Sequence, residues 1–231
     1  MSEELKSVEF KNNIYKYGAE WTKHLEPCDH WIFYWYQQKI MEGFINKNKS
    51  ETIIEIGVGS EFTANYCRSK GFSVTTLDID ESKKPDILTN VVEHDFKEQY
   101  DHLMAFEILE HIPFEESQKI IKKIPTFVKK YAFISLPRNE RTLLDLEIKL
   151  PLLKKIKLEW KILARNIFTD AHHWELDYKE YKMETVEKSF IDAGLKIRRK
   201  LKNRYIYLYA LEVCNDDIHK TFEYNHVRRI K

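Results

Sequence analysis

Residues 51–80 read ETIIEIGVGSEFTANYCRSKGFSVTTLDID. Ile53, Ile54 and Ile56 form a short β-branched run, the pattern of a buried strand. Gly57 and Gly59 follow at once, in a chain with only 6 glycines, less than half the usual share of ~7%. Glycine reaches backbone conformations that cost other residues energy. A glycine-poor chain that sets two of them together therefore predicts a tight turn. Beyond it, Phe62, Tyr66 and Cys67 recur at helical spacing, and Gly71 is placed to cap the helix C-terminus. FSVTTLDID predicts a second strand, ending at Asp78 and Asp80. Strand, glycine turn, helix and strand make one βαβ unit.

The alternation continues along the chain. Tyr100 to Phe106 predicts a strand, and Glu115 to Lys123 a helix with Ile120, Ile121 and Ile124 on one face, stopped by Pro125. Tyr131 to Leu136 predicts a strand stopped by Pro137. Glu184 to Ala193 predicts a helix ending at Gly194, and Leu195 to Leu201 with Tyr205 to Val213 a closing antiparallel pair. Such alternation argues for an α/β domain with a mostly parallel sheet and helices on both faces.

Three segments stand outside the pattern, dividing the chain into an N-terminal helical or lid segment (1–50), a domain over 51–213 with a helical insertion at 138–180, and a tail (214–231). The first holds the aromatic cluster Trp31, Phe33, Tyr34, Trp35 and Tyr36, expected in the core, in a lid or in a substrate pocket. In the insertion, Leu152, Leu153, Ile156, Trp160, Leu163 and Ile167 recur at helical spacing, with Lys154, Lys155, Lys157, Lys161 and Arg165 between them. This predicts an amphipathic basic helix after Pro151. It would pack as a lid, or meet a membrane surface or lipid-linked molecule over 152–167.

Charged residues make up 32% and hydrophobic residues 43%, with 13% aromatic, which excludes disorder as the main state. The apolar runs Ile32 to Tyr36 and Tyr205 to Leu211 fall far short of the ~18 residues of a membrane span. The polar opening MSEELKSVEF predicts no secretory signal. Cys28, Cys67 and Cys214, odd in number and far apart, predict neither a disulfide framework nor a zinc site. A reducing cytoplasm is the expected compartment. Net charge is +1, so no global field advertises a nucleic-acid partner. The local basic run Lys196, Arg198, Arg199, Lys200, Lys202 and Arg204 is expected to protect an edge strand, with RNA contact as the competing reading.

Glu55-Ile-Gly57-Val-Gly59 lies where a strand turns into a helix, the end of an open α/β sheet at which ligands bind. Asp78, twenty-three residues after Glu55, closes the next strand, where a carboxylate can accept both hydrogen bonds of a ribose diol. The pair predicts a nucleoside site. Phe62 stands where a dinucleotide fingerprint needs its third glycine, and no P-loop occurs anywhere.

The pattern acid-x-Gly-x-Gly resembles the first motif of the class I S-adenosylmethionine-dependent methyltransferases. TTLDID is similar to that family's second strand, PDILTNVVEHDF to its third-strand region, FEILEHIP to its fourth motif and YAFISLP to its fifth strand. The resemblance spans residues 51–137 and 181–213. It implies a Rossmann-like three-layer sandwich, with a mostly parallel seven-stranded sheet and an antiparallel C-terminal strand. It implies S-adenosyl-L-methionine as cofactor, held by Glu55, Gly57, Gly59, Asp78, Ile79, Asn90, Val91, Phe106 and Glu107. Two departures stand out: Glu61 replaces the motif's third glycine, in what is read as the first helical turn, and Asn90 replaces an aspartate.

His111 and His173 are the candidate catalytic bases, with a loop-holding histidine as the competing reading of His111. His172, Trp174 and Glu175 are candidates for acceptor recognition, or for a loop anchor. No metal is expected. The activity implied is methyl transfer by in-line displacement to an oxygen or nitrogen of a small-molecule acceptor, lipid- or sugar-linked acceptors included. The enzyme would be a monomer or homodimer. An RNA methyltransferase and a non-catalytic S-adenosylmethionine-binding module are the alternatives.

Overall fold

The computed structural model describes residues 7–10, 14–17, 27–45, 50–148, 156–163, 167 and 171–214. Seven strands form the central sheet: β3 (Thr52–Ile56), β4 (Ser73–Asp78), β5 (Ile87–Leu88), β6 (Tyr100–Phe106), β7 (Val128–Pro137), β10 (Leu195–Asn203) and β11 (Ile206–Val213). Their order is β10-β11-β7-β6-β3-β4-β5. β3, β4, β5, β6 and β7 run parallel to one another, and β11 lies antiparallel to both β7 and β10. This is the expected Rossmann-like sheet.

Strand alternation divides the core into two halves. Ile54, Ile56, Leu77 and Leu103 face one side, where Ile120, Ile121, Ile124 and Phe127 of α3 (Phe114–Phe127) and Val186 and Phe190 of α4 (Met183–Asp192) meet them. Ile53, Met104, Phe133 and Leu208 face the other, against Ile40 and Met41 of α1 (Cys28–Met41) and Ala64 and Cys67 of α2 (Phe62–Ser69). Helices on both faces give the three layers.

The insertion departs from the expected helix. It holds an antiparallel pair, β8 (Glu140–Ile148) and β9 (Ile156–Leu163), with Leu144 opposite Trp160 and Leu146 opposite Leu158. Ile156, Leu158, Trp160 and Ile162 alternate with polar residues, a strand period. Ile156 and Trp160 lie four apart, a spacing that fits a helix and a strand equally well. The apolar stretch of β8 supplies cross-strand partners and tips the balance. Leu152, Leu153, Lys154, Lys155 and Arg165 lie outside the described residues, as does the tail beyond Cys214.

Two smaller differences concern boundaries. α3 runs through Pro125 to Phe127, because Phe127 is fully buried and stacks on Phe96 at 3.8 Å, which holds the last turn. The N-terminal segment is not helical throughout: β1 (Ser7–Phe10) and β2 (Ile14–Tyr17) form a separate antiparallel pair ahead of α1.

Candidate active site

The turn after β3 is held by the next strand. Gly57 N–H donates to the Leu77 carbonyl at 2.9 Å, and Val58 N–H to Asp78 Oδ2 at 2.8 Å. Asp78 also accepts Asp80 N–H at 2.8 Å and lies 3.4 Å from Lys83 Nζ. One buried carboxylate thus ties the glycine turn to the end of β4. Gly57 has φ +79°, and a Cβ there would lie 1.8 Å from Ile108 Cδ1. Glycine is required on both counts.

Glu61 is not in the first helical turn. It is the N-cap of α2, in the left-handed conformation at φ 60°. A left-handed position is one that glycine occupies without strain. Its carboxylate reaches back to Asn65 Nδ2 at 3.4 Å, and it lines neither cavity described below. A left-handed non-glycine residue costs roughly 1–2 kcal/mol, partly offset by the unfolded-chain entropy that glycine adds. Glu61→Gly is therefore expected to stabilise the protein by about 0.5–1 kcal/mol, read as a higher urea midpoint at unchanged slope.

Two adjoining cavities open at the carboxyl ends of the parallel strands. The larger, about 610 Å³, is lined by Glu55, Gly57, Gly59, Phe106 and Glu107 together with residues of α1 and of the β10–β11 turn. The smaller, about 90 Å³, is lined by Asp78, Ile79, Asn90 and Val91 among others. All nine cofactor candidates thus face one of the two. Gly57, Lys83, Ile108 and His111 line both. The sequence reading missed Ile108 and Lys83. Ile108 carries no polar signal, and Lys83 sits in an irregular stretch with no family pattern.

α1 covers the larger cavity with part of its aromatic cluster. Tyr34 is buried, stacks on Phe62 at 4.4 Å and shares a 2.5 Å hydrogen bond with Ser60 Oγ. Gln37 accepts the Thr63 hydroxyl. Trp31 and Trp35 are exposed. From the far side Asn203, Arg204, Tyr205 and Ile206 complete the wall, and Arg204 pairs with Asp29 of α1 at 2.6 Å. The neighbouring basic residues are also engaged: Arg198 with Glu212, Lys200 with Glu187, Lys202 with Glu140, and Arg199 with the carbonyls of Lys39 and Glu42. Five of the run's six basic residues thus meet partners within the fold.

Burial dominates the site's electrostatics. It raises Glu55 from 4.5 to about 8; Arg68 pulls the value down, and Glu61 and Asp78 push it up. Glu55 Oε2 is buried and has no hydrogen-bond partner among the described residues. Burial also raises Glu107 to about 7, despite the Ser135 hydroxyl that donates to it at 2.8 Å. His111 is pushed down to about 3, first by burial and then by His172, so its imidazole is neutral at working pH.

These shifts have signs that can be measured. Glu55 binds a proton in the folded state between pH 4.5 and about 8 that the unfolded chain releases. Stability of the ligand-free protein therefore falls as pH rises through that window. A cationic amine beside Glu55 favours the carboxylate, so its binding expels the proton. Affinity for a ligand that places an ammonium group there is expected to rise with pH up to about 8, by at most tenfold per unit, and then level off. Titration calorimetry between pH 6 and 9 checks this, and Glu55→Gln should flatten the profile.

The C-terminal part of the insertion is sewn onto the loop that follows β6. His111 Nδ1 bonds the Ala171 carbonyl at 3.0 Å, His173 N–H donates to the Glu110 carbonyl at 2.8 Å, and Trp174 Nε1 donates to the carbonyls of Leu109 and Ile112 at 3.0 and 3.1 Å. Trp174 and Glu175 are fully buried; Glu175 accepts from Asn139 Nδ2 at 2.7 Å and contacts His172 Nδ1 at 2.8 Å. Neither they nor His172 and His173 line either of these two cavities. Of the candidates for catalysis and acceptor recognition, only His111 does. The packing favours the loop-anchor reading of Trp174 and Glu175.

The glycine turn, the buried acid at Asp78 and the unsatisfied Glu55 oxygen suit a ligand carrying a ribose and an ammonium group. The sequence matches a family profile described as a methyltransferase domain over residues 28–198. No curated protein sequence matches significantly. Among solved structures, the N-methyltransferase NodS from Bradyrhizobium japonicum WM9 superposes with a TM-score of 0.56 at 8% identity, over 81% of this chain and 97% of that one. The CcbJ methyltransferase from Streptomyces caelestis gives 0.55 at 9% identity, over 82% and 97%. Magnesium protoporphyrin IX methyltransferase from Synechocystis PCC 6803, solved with bound S-adenosylmethionine, gives 0.51 at 15% identity, over 82% and 84%. At such identities these likenesses establish the fold, while the profile spans well over half the chain. The chain belongs to the methyltransferase-domain family, the class I enzymes that use S-adenosylmethionine.

Proposed function

We propose that the protein methylates an oxygen or nitrogen atom of a small-molecule acceptor. The observation that carries this reading is the larger cavity. Its roughly 610 Å³ adjoins the glycine turn and is walled by α1 and the β10–β11 turn, a size within the usual range for small-ligand sites. When bound, S-adenosylmethionine supplies an electrophilic methyl group on a sulfonium. Asp78 would accept the ribose hydroxyls, Glu55 the ammonium, and Asn90 would meet the base. Phe106, Ile108 and Tyr34 would exclude water and help align the acceptor, and such alignment is worth roughly 7–11 kcal/mol. His111, so reluctant to charge, is a weak proton acceptor. An acceptor that arrives deprotonated, such as a carboxylate, a phenolate or a free amine, suits the site best.

Incubation with methyl-tritiated S-adenosylmethionine and a cell extract split into small-molecule and RNA fractions tests the reading. Label is expected in the small-molecule fraction. Label in RNA would favour the alternative, which the internal pairing of Arg198, Lys200, Lys202 and Arg204 weakens.

A lipid-linked acceptor has its own support. Leu144, Leu146, Leu158 and Trp160 are all exposed and paired across β8 and β9, which makes an apolar ladder, and Lys149, Lys154 and Lys155 lie between the strands in sequence. An exposed apolar ladder in a lysine-rich stretch of sequence suits an anionic bilayer. Sedimentation with phosphatidylglycerol-containing vesicles is expected, and Leu146→Ser with Leu158→Ser should reduce it several-fold. No sedimentation of the wild-type protein would end this part of the proposal.

A further inference from the structure

Glu110, His111 and His172 each offer one ligand atom, and the three atoms lie within 4.8 Å of one another. They come from two segments about sixty residues apart, brought together by the Trp174, His173 and Ala171 hydrogen bonds described above. Glu110 is fully buried, and neither of its carboxylate oxygens has a hydrogen-bond partner among the described residues. A buried carboxylate left in that condition costs several kcal/mol, or is neutralised by taking up a proton, unless something cationic meets it.

The histidines carry the second half of the argument. His111 Nδ1 faces a backbone carbonyl at 3.0 Å, and His172 Nδ1 faces the buried Glu175 carboxylate at 2.8 Å. Each acceptor places the proton on Nδ1, which leaves Nε2 as the lone-pair nitrogen. A carbonyl or carboxylate behind the imidazole is the arrangement that orients histidine ligands in metal sites. The His111 and His172 rings lie with centroids 4.8 Å apart. Ligand atoms around one ion with bonds of ~2.0–2.2 Å sit roughly 3–3.5 Å apart, so small side-chain rotations would close the present spacing. The His172 side chain is 12% exposed, which leaves a route in from solvent.

We infer that Glu110, His111 and His172 form a binding site for one divalent transition-metal ion, with zinc as the best match to two imidazoles and a carboxylate. Three protein ligands leave coordination positions for water or for an acceptor oxygen. That last role rests on the methyl-transfer reading; metal binding does not. His111 joins the two functions, because it also lines both cavities.

The test uses the full-length protein stripped with a chelator and dialysed against zinc or cobalt(II). One equivalent of zinc is expected by elemental analysis, with cobalt absorption bands diagnostic of nitrogen and oxygen ligation. Glu110→Gln and His172→Asn should each weaken zinc binding by ten- to a hundredfold. Binding of S-adenosylhomocysteine by these variants, read by calorimetry, checks that the fold and the cofactor site persist. If both fold poorly, the wild-type stoichiometry and cobalt spectrum still judge the proposal. Substoichiometric zinc in the wild type, or binding unchanged in both folded variants, would overturn it. Loss of zinc with intact cofactor binding would separate this site from the methyl-transfer reading.

Discussion

Asp78→Ala is expected to abolish the thermal stabilisation that S-adenosylhomocysteine gives the wild type. At a hundred times its dissociation constant the ligand adds about 2.7 kcal/mol, which for a domain of this size raises Tm by roughly 5–10 °C. Asp78 serves the site twice. Its carboxylate accepts the Val58 N–H at 2.8 Å, which holds the glycine turn against β4, and it lines the smaller cavity, where a ribose diol would complete its hydrogen bonds. Hydrogen bonds to a charged group contribute roughly 1.5–3 kcal/mol each. Loss of two from the ligand weakens binding by about 10²–10⁴-fold. The orphaned Val58 N–H adds roughly 1–3 kcal/mol of lost stability in the free protein. Asp78→Asn separates the roles in part: its single amide oxygen can still accept from Val58, while its NH2 is turned on the Asp80 N–H and the charge is gone. It should restore part of the stability and little of the affinity. Full ligand-induced stabilisation in Asp78→Ala would remove Asp78 from the site.

Gly57→Ala should be strongly destabilising, because strain and a steric clash act together. An alanine at φ +79° costs roughly 1–2 kcal/mol in backbone strain. Its Cβ would also lie 1.8 Å from Ile108 Cδ1, so Ile108 must move, and overpacking of this kind costs typically ~1–3 kcal/mol more. A loss of about 2–5 kcal/mol is expected in urea denaturation, together with loss of cofactor binding. Addition of Ile108→Ala relieves the contact and leaves the strain. The double variant should therefore be more stable than the sum of its parts predicts, with a coupling of about 1–2 kcal/mol. Additive losses would show that Ile108 does not rest on the glycine.

Much of the site was legible in the sequence because its parts are local. Ile53 to Gly59 codes a strand and its turn within seven residues, and Asp78 ends the next strand at the distance one βαβ unit requires. Both are read from spacing alone. Ile108 was not legible: it matters only because its side chain rests on a glycine fifty-one positions earlier in the chain, and nothing in its neighbours signals that. Glu61 was misread for a related reason. A glutamate suits a first helical turn on propensity and dipole, and only the path of the backbone sets it one position earlier, in a left-handed cap.

The insertion shows the same division more sharply. Residues 152–167 carry an apolar period that a helix satisfies, and residues 156–162 one that a strand satisfies; local pattern cannot choose between them. The choice falls to Leu144 and Leu146, which pair with Trp160 and Leu158. By itself, then, the sequence determined the alternating architecture, the glycine turn, the acid at Asp78 and the family. These rest on interactions between near neighbours, whose physics acts within one or two elements. Tertiary structure alone decided that the insertion is a hairpin, that Trp174 and Glu175 belong to the interior, and that Glu110, His111 and His172 converge. Each depends on contacts between residues 12 to 65 positions apart in the chain, and burial and pairing at that range leave no periodic mark in the residues that make them.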